Sequence, residues 1–470
     1  MRHIRGQSRQ QATLFPESLE DLIPAEHLVR VLDTFVEQLS LVDLGFSKAI
    51  PAATGRPAYD PSDLLKLYLW GYMNQVQSTR RLEHASLSNV EVMWLLNRLS
   101  PDFKTLADYR RDNPTGLQRV CSAFVQFCRG AEVFSGERVA IDGSKFGGQN
   151  ARSKNVSART LTKRLKQTEK KIAAYFAVLD ETDAQEAEWA SGPEDVKAAL
   201  AALESQKEAI QAQLEAMTAA GETQVSYIDP DARKMLTGQG EWVVGYNVQT
   251  AVETDTHVIV HHEVEQEVTD RKQLAKVATR TQEVLEGEEL EVVADAGYSN
   301  ASEAAKCEAK GVKTYVPKQP GKNTHGDYYE RSVFEYDEDK DSYRCPAGEV
   351  LTFRGESAKG ERTYRRKSCA GCVLKPQCTS AQSRSVTRLR HESALQAMDA
   401  RARAHTDIMK QRAATVEHPF GTLKQILKGG KFLTKGLSSV KAEMSLAVLA
   451  YNMKRLINLK GTDWMIKALA

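Results

Sequence analysis

The sequence predicts an α/β protein: a mixed sheet with flanking helices, preceded by an all-α segment and carrying two insertions. Three observations predict it. "RVAIDGSKF" (138–146) and "LEVVADAGYS" (290–299) are short apolar runs that end in an acid and are closely followed by glycine. Each reads as a buried strand running into a turn. Between them, "EWVVGYNVQTAVE" and "HVIVHHEVEQE" read as strands and "DRKQLAKVATRTQEVLEG" as a helix. Strands, helix and strand in that order point to an α/β core. Helical periodicity dominates before residue 130 and after 396.

In the N-terminal segment, "AEHLVRVLDTFVEQL" sets Leu28, Val31, Leu32, Phe35 and Leu39 at helical spacing. "DPSDLLKLYLWGYM" opens with Asp60 as N-cap and Pro61 just inside. The helical pattern continues through "STRRLEHASLSNVEVMWLL" and "DFKTLADYRRDNPTGLQRVCSAFVQFCRG". A helical domain over 1–130, for DNA-end binding or dimerisation, followed by a catalytic domain over 131–470, is the expected division. Within the second, 157–222 reads as a helical hairpin with Leu200, Leu203, Ile210, Leu214 and Met217 along one seam. Residues 320–395 read as a turn-rich insertion holding four of the seven cysteines.

Composition narrows the function class. The net charge of +2 conceals a split: residues 359–470 carry 22 Lys and Arg against 7 Asp and Glu, a net of +15, leaving −13 for the remainder. An excess sustained over so long a stretch points to a polyanion partner, with nucleic acid favoured over a solvated face. The N-terminus "MRHIRGQSRQQATLF" is basic without an apolar h-region, and no long apolar run occurs. The expectation is a cytoplasmic protein with no membrane partner. Seven cysteines without a secretion signal point to a reducing compartment.

Asp142 and Asp295 sit at the ends of two buried strands, where the ligand sites of open α/β sheets collect. Two carboxylates brought together are costly unless a cation lies between them, and hard oxygen donors suit Mg²⁺ or Mn²⁺. "TVEHPFGTLK" adds Glu417, an acid among Lys410, Arg412, Lys424, Lys428, Lys431 and Lys435. By itself it is a charge balancer; beside two strand-end aspartates it is the candidate third carboxylate. Pro419 leaves open whether the helix starts or bends there. "DPDARKM" supplies Asp229 and Asp231 as rival acids in a turn context, with Arg233 and Lys234 beside them. His261 and His262 read as structural residues of a strand.

"YRCPAG" and "SCAGCVLKPQC" place Cys345, Cys369, Cys372 and Cys378 in a set with one Cys-x₂-Cys spacing. With Gly348 and Gly371 in their turns, the four are candidate ligands of structural Zn²⁺. Cys121, Cys128 and Cys307 read as ordinary buried thiols.

"AIDGSKF", "DPDARKM", "GYNVQTAVE", "VVADAGYS" and "VEHPFGTLK…GLSSVKAEMSLAVLAYNMKRL" together resemble the bacterial insertion-sequence DDE transposases. "DPSDLLKLYLWGYM" and "FKTLADYRR" resemble the helical domain that precedes their catalytic core. The resemblance covers most of the chain, with the motifs in order. It implies a ribonuclease-H-like catalytic domain and makes Asp142, Asp295 and Glu417 the catalytic acids, holding two Mg²⁺ or Mn²⁺ ions. It implies cleavage at terminal inverted repeats and strand transfer into target DNA. A homodimer is expected, since both element ends must be held. Related elements often carry Tyr, Arg, Glu and Lys along the third-acid helix. Glu417 and Lys424 fit that pattern, Arg412 is a match for the Arg, and Met409 stands near the place of the Tyr. Contacts to DNA are expected from Lys424, Arg412, Lys145, Arg233, Lys234 and His418. The alternatives are a nuclease of the same fold that cuts without joining, and a DNA-binding protein that has lost catalysis.

Overall fold

The computed structural model describes residues 18–55, 57–184, 193–287, 289–319, 328–358 and 360–470. Six helices come first: α1 (Leu28–Glu37), α2 (Pro61–Met73), α3 (Thr79–Ser88), α4 (Val90–Leu95), α5 (Phe103–Asp112) and α6 (Pro114–Gly130). Val31, Leu32 and Phe35 of α1 are buried, as their spacing requires. Asp60 caps α2 by accepting the Ser62 N–H, satisfying an amide with no partner inside the helix. The longer helical stretches break where side chains and proline dictate. Asn89 closes α3 and caps α4 through the Val92 N–H. Asn113 precedes Pro114, which starts α6.

The central strand, β1 (Arg138–Gly147), follows. The hairpin insertion comes next: β2 (Asn155–Ser157), α7 (Ala158–Ala184), α8 (Pro193–Ala219) and β3 (Gln224–Ser226), with β2 and β3 paired at its base. Leu161, Ile210 and Met217 form a small core of its own, with Leu214 packed against it. The main sheet resumes with β4 (Arg233–Leu236), β5 (Trp242–Glu253) and β6 (Ile259–Glu265), then α9 (Leu274–Leu285), β7 (Leu290–Val293), α10 (Ala301–Glu308) and β8 (Val312–Tyr315). Its strand order is β6-β5-β1-β7-β8, with β4 on the first half of β5. β5 and β6 run antiparallel to their neighbours, while β1, β7 and β8 are parallel. This is the ribonuclease-H-like mixed sheet.

A second, antiparallel sheet holds β9 (Glu335–Asp337), β10 (Ser342–Arg344), β11 (Val350–Glu356), β12 (Glu361–Arg365) and β13 (Ser385–Leu389), with the short α11 (Lys375–Cys378) before the last strand. Part of the expected 320–395 insertion, residues 320–327, lies outside the described residues. Four helices complete the chain: α12 (Glu392–Ala404), α13 (Thr406–Ile426), α14 (Leu437–Lys460) and α15 (Thr462–Leu469).

Helix α14 joins the two halves. It packs on α2, α5 and α6 on one side and on β6 on the other, so it is buried nearly all round. Helix α6 ends at Gly130, and one continuous core runs from the N-terminal helices into the sheet. The rival acids of "DPDARKM" serve this helix. Asp229 accepts the Gly436 N–H at 3.1 Å and Asp231 the Leu437 N–H at 2.7 Å. Two carboxylates at a helix N-terminus meet both its free amides and its positive dipole end. Among the described residues no helix is long and apolar enough to cross a membrane.

Candidate active site

Strand β1 continues to Gly147, so Asp142 lies inside the strand and not at its end. What ends near Asp142 is the pairing with β7, whose last partners are Ala140 and Val293. Asp142 and Asp295 each follow two residues beyond that last pair, close enough for the Asp295 charge to act on the Asp142 carboxyl. At Asp295 the chain turns, and its Oδ1 accepts the Gly297 N–H at 2.8 Å. The two aspartates therefore come to one place because β1 and β7 are parallel neighbours.

Burial pushes the Asp142 carboxyl up to about 6; Arg412 and the Gly143 N–H pull against that, while Asp295 and Asp270 add to it. A buried carboxylate with other acids nearby resists charging until a cation arrives. Arg412 Nη1 stands 3.8 Å from Asp142 Oδ1. That nitrogen and Thr250 Oγ1 are buried polar atoms with no hydrogen-bond partner among the described residues. Thr250 is directly opposite Asp142 in the β1–β5 ladder. Unsatisfied polar atoms beside a part-buried acid are rare enough to require a reason; the Asp142 and Thr250 oxygens suit a hard divalent ion with its waters, whereas the Arg412 N–H is free for an anionic acceptor.

Glu417 lies on α13, which runs unbroken from Thr406 to Ile426 with Pro419 inside it. Pro419 neither starts the helix nor ends it; its missing N–H leaves the Thr415 carbonyl without its usual donor. Arg412, Val416 and Phe420 lie on the inward side, and Phe420 meets Phe146 of β1 with ring centroids 6.3 Å apart. Glu417 is exposed and makes no hydrogen bond or ion pair with a described residue. Lys410 and Lys424, seven residues before and after it, share its helix face and are also exposed. Among the described residues, no three His, Cys, Asp or Glu side chains already stand where they could hold a metal ion. The structure thus brings Asp142 and Asp295 together and leaves Glu417 outside contact with them.

The opposite face of β1 holds a cluster that the motifs do not reveal. Asp270 accepts Lys145 Nζ at 3.0 Å, Asn247 Nδ2 at 2.7 Å and Gln249 Nε2 at 2.7 Å. Tyr298, three residues after Asp295, donates to Gln249. Gly143 is required here: a Cβ would stand 2.3 Å from Gln249 Nε2 and 2.7 Å from Asp270 Oδ1. The glycine after the acid in "AIDGSKF" is therefore a packing demand of the other face. Asp270 looks in the sequence like the opening residue of a helix. Only the polar pair Asn247 and Gln249, on alternate residues of an otherwise apolar strand, hints at a buried partner.

The expected DNA-contacting residues separate by environment. Lys145 is nine-tenths buried against Asp270 and committed inside the protein. Arg233 is paired with Glu222 at 2.9 Å. Lys234 lies over the Trp242 ring, 4.8 Å from its centroid. His418 Nδ1 is 3.3 Å from the Tyr451 hydroxyl. Lys424 reaches over the Phe146 ring at 5.9 Å, on the face it shares with Glu417. His261 and His262 are buried and pushed down to about 3 and about 4, principally by burial, so both are neutral at pH 7. Cys345, Cys369, Cys372 and Cys378 line a single pocket of the second sheet. Cys121, Cys128 and Cys307 are buried singly.

Similarity to known proteins agrees with this architecture. A family described as a transposase domain (DUF772) matches residues 17–112, the helical N-terminal segment. A family described as a transposase DDE domain matches residues 344–457, which contain β11 to β13 of the second sheet, α13 with Glu417, and most of α14. Both matches, in this order on one chain, support an insertion-sequence DDE transposase. The chain matches no curated protein. Among solved structures, a piggyBac transposase synaptic complex with hairpin DNA aligns over 94% of this chain and 78% of its own, at 9% identity and a TM-score of 0.30. A likeness that slight bears no weight.

Proposed function

We propose that this transposase cuts DNA at the ends of its element and joins them to target DNA, with Asp142, Asp295 and Glu417 as the acids that hold its divalent ions. The observation that carries this reading is the parallel pairing of β1 with β7 up to Ala140 and Val293, two residues before Asp142 and Asp295, with Asp142 held protonated up to about 6 by burial. Bound Mg²⁺ or Mn²⁺ would activate the attacking oxygen and stabilise the leaving one in an in-line displacement. The chain's own residues do the rest. Asp142 gives up its proton to become a ligand, and Arg412 supplies the counter-charge while no ion is there. Lys410 and Lys424 flank Glu417 on the exposed face of α13 and hold the phosphate backbone beside it. Lys428, Lys431 and Lys435 extend that positive surface. A dimer holding both element ends is part of the same reading.

The test is cleavage and joining of labelled DNA from the ends of the encoding element, with Mg²⁺. Wild type is expected to nick and then join; Asp142→Ala is expected to do neither. Cleavage without joining would support a plain nuclease instead. Equal cutting by the variant would remove Asp142 from the site.

A further inference from the structure

The second sheet has little to hold it together. Its own core consists of Phe334, Tyr343, Leu351, Tyr364, Cys378 and Val386. Small units with so few buried residues are ordinarily stapled by disulfides or a metal. No disulfide is present, and all seven cysteines are free thiols.

Four of those thiols come to one pocket from three places. Cys345 ends β10 in a turn closed by Cys345 N–H to Glu349 at 2.8 Å and Gly348 N–H to Cys345 at 2.8 Å. Cys369 and Cys372 form a second turn, closed by Cys372 N–H to the Cys369 carbonyl at 3.3 Å. Cys378 ends α11. Gly348 and Gly371 take φ of +79° and +75° in the two turns, a conformation that glycine adopts without strain. Arg366 and Arg384 line the same pocket. The Arg384 backbone N–H donates to Cys369 Sγ at 3.4 Å.

We propose that Cys345, Cys369, Cys372 and Cys378 bind one structural Zn²⁺ that fastens β10, the turn after β12, and α11 into a unit. The chemistry is ligand exchange: four thiols lose their protons to solvent, four Zn–S bonds of about 2.3 Å form, and zinc sheds its waters. The resulting site carries two negative charges, and Arg366 and Arg384 offset them. The sulfurs are not yet at ligand geometry, so binding draws them inward. Nothing lies within 4 Å of where a Cβ of Gly348 or Gly371 would be, which leaves both turns room to adjust.

The experiment is metal analysis of the full chain, expressed in zinc-supplemented medium and dialysed without chelator. About one zinc per chain is expected, and Co²⁺ in its place should give the absorption bands of tetrahedral thiolate coordination. Cys345→Ser with Cys372→Ser should lose the metal, while Cys307→Ser should keep it. A wild-type chain without zinc overturns the proposal, as does full zinc retention in the double variant or a disulfide between any two of the four. If the double variant is insoluble, the wild-type cobalt spectrum decides: no thiolate bands, no site.

Discussion

Arg412 Nη1 stands 3.8 Å from Asp142 Oδ1, across the gap between α13 and β1. The guanidinium sits where a metal ion's charge is needed, and it holds the Asp142 carboxyl lower than burial alone would. Removing it should make Asp142 harder to ionise. In Arg412→Gln, the pH midpoint for Mn²⁺ binding, followed by titration at several pH values, should move upward by about half a unit or more. An unchanged midpoint would mean that the pair does not control the site.

Asp142 carries a stability cost when it is ionised. Its folded pKa of about 6 lies above the usual 3.8, so the folded chain keeps the proton longer than the unfolded chain. The stabilisation that results is complete below about pH 4 and is lost as pH rises through about 6. In chelator at pH 8, Asp142→Asn should therefore be more stable than wild type by up to about 2–3 kcal/mol, and near pH 4 the difference should vanish. Urea unfolding at the two pH values measures this. DNA cleavage by the same variant should fall by at least about a thousandfold.

The two buried histidines act in the opposite direction. His261 and His262 titrate at about 3 and about 4 in the fold, against 6.5 when exposed. The unfolded chain takes up their protons first, so stability should drop as pH falls from 6.5 towards 4. Each contributes on the order of 1.4 kcal/mol per pH unit in that window. Comparing wild type with His261→Phe between pH 7 and pH 5 tests the claim. The variant should lose less stability over that interval.

Gly143 makes a steric prediction. Alanine there would push into Gln249 and Asp270, whereas at Gly148 the nearest atoms stay 3.4 Å from a Cβ. Gly143→Ala should cost roughly 1–3 kcal/mol and depress cleavage by re-aiming the neighbouring Asp142. Gly148→Ala should leave both nearly unchanged.

These residues also separate what the sequence discloses from what it hides. The strands of Asp142 and Asp295 are visible because both are dense apolar runs; their parallel pairing is not, because the antiparallel strands β5 and β6 lie between them in sequence. That Asp142 lies within its strand is hidden, because the strand changes partner there and not composition. Asp270 is hidden because a residue opening a helix is ordinarily a cap, and its ligands come from a strand more than twenty residues away. Asp229 and Asp231 looked like rival acids until the far end of the chain, at Gly436 and Leu437, supplied the amides they cap. Lys145 was expected on DNA for want of any local sign of its partner. The convergence of four cysteines was legible as spacing; the sparse core that gives it a purpose was not.

The most direct test of the central claim is iron-directed backbone cleavage. Fe²⁺ is loaded in place of Mg²⁺ on the chain bound to element-end DNA, and ascorbate and peroxide are added. Radicals cut the polypeptide next to the ion. The account predicts cuts near residues 142, 295 and 417 together, all suppressed by excess Mg²⁺. Cuts near 142 and 295 with none near 417, or cuts that Mg²⁺ does not suppress, would contradict a site made of Asp142, Asp295 and Glu417.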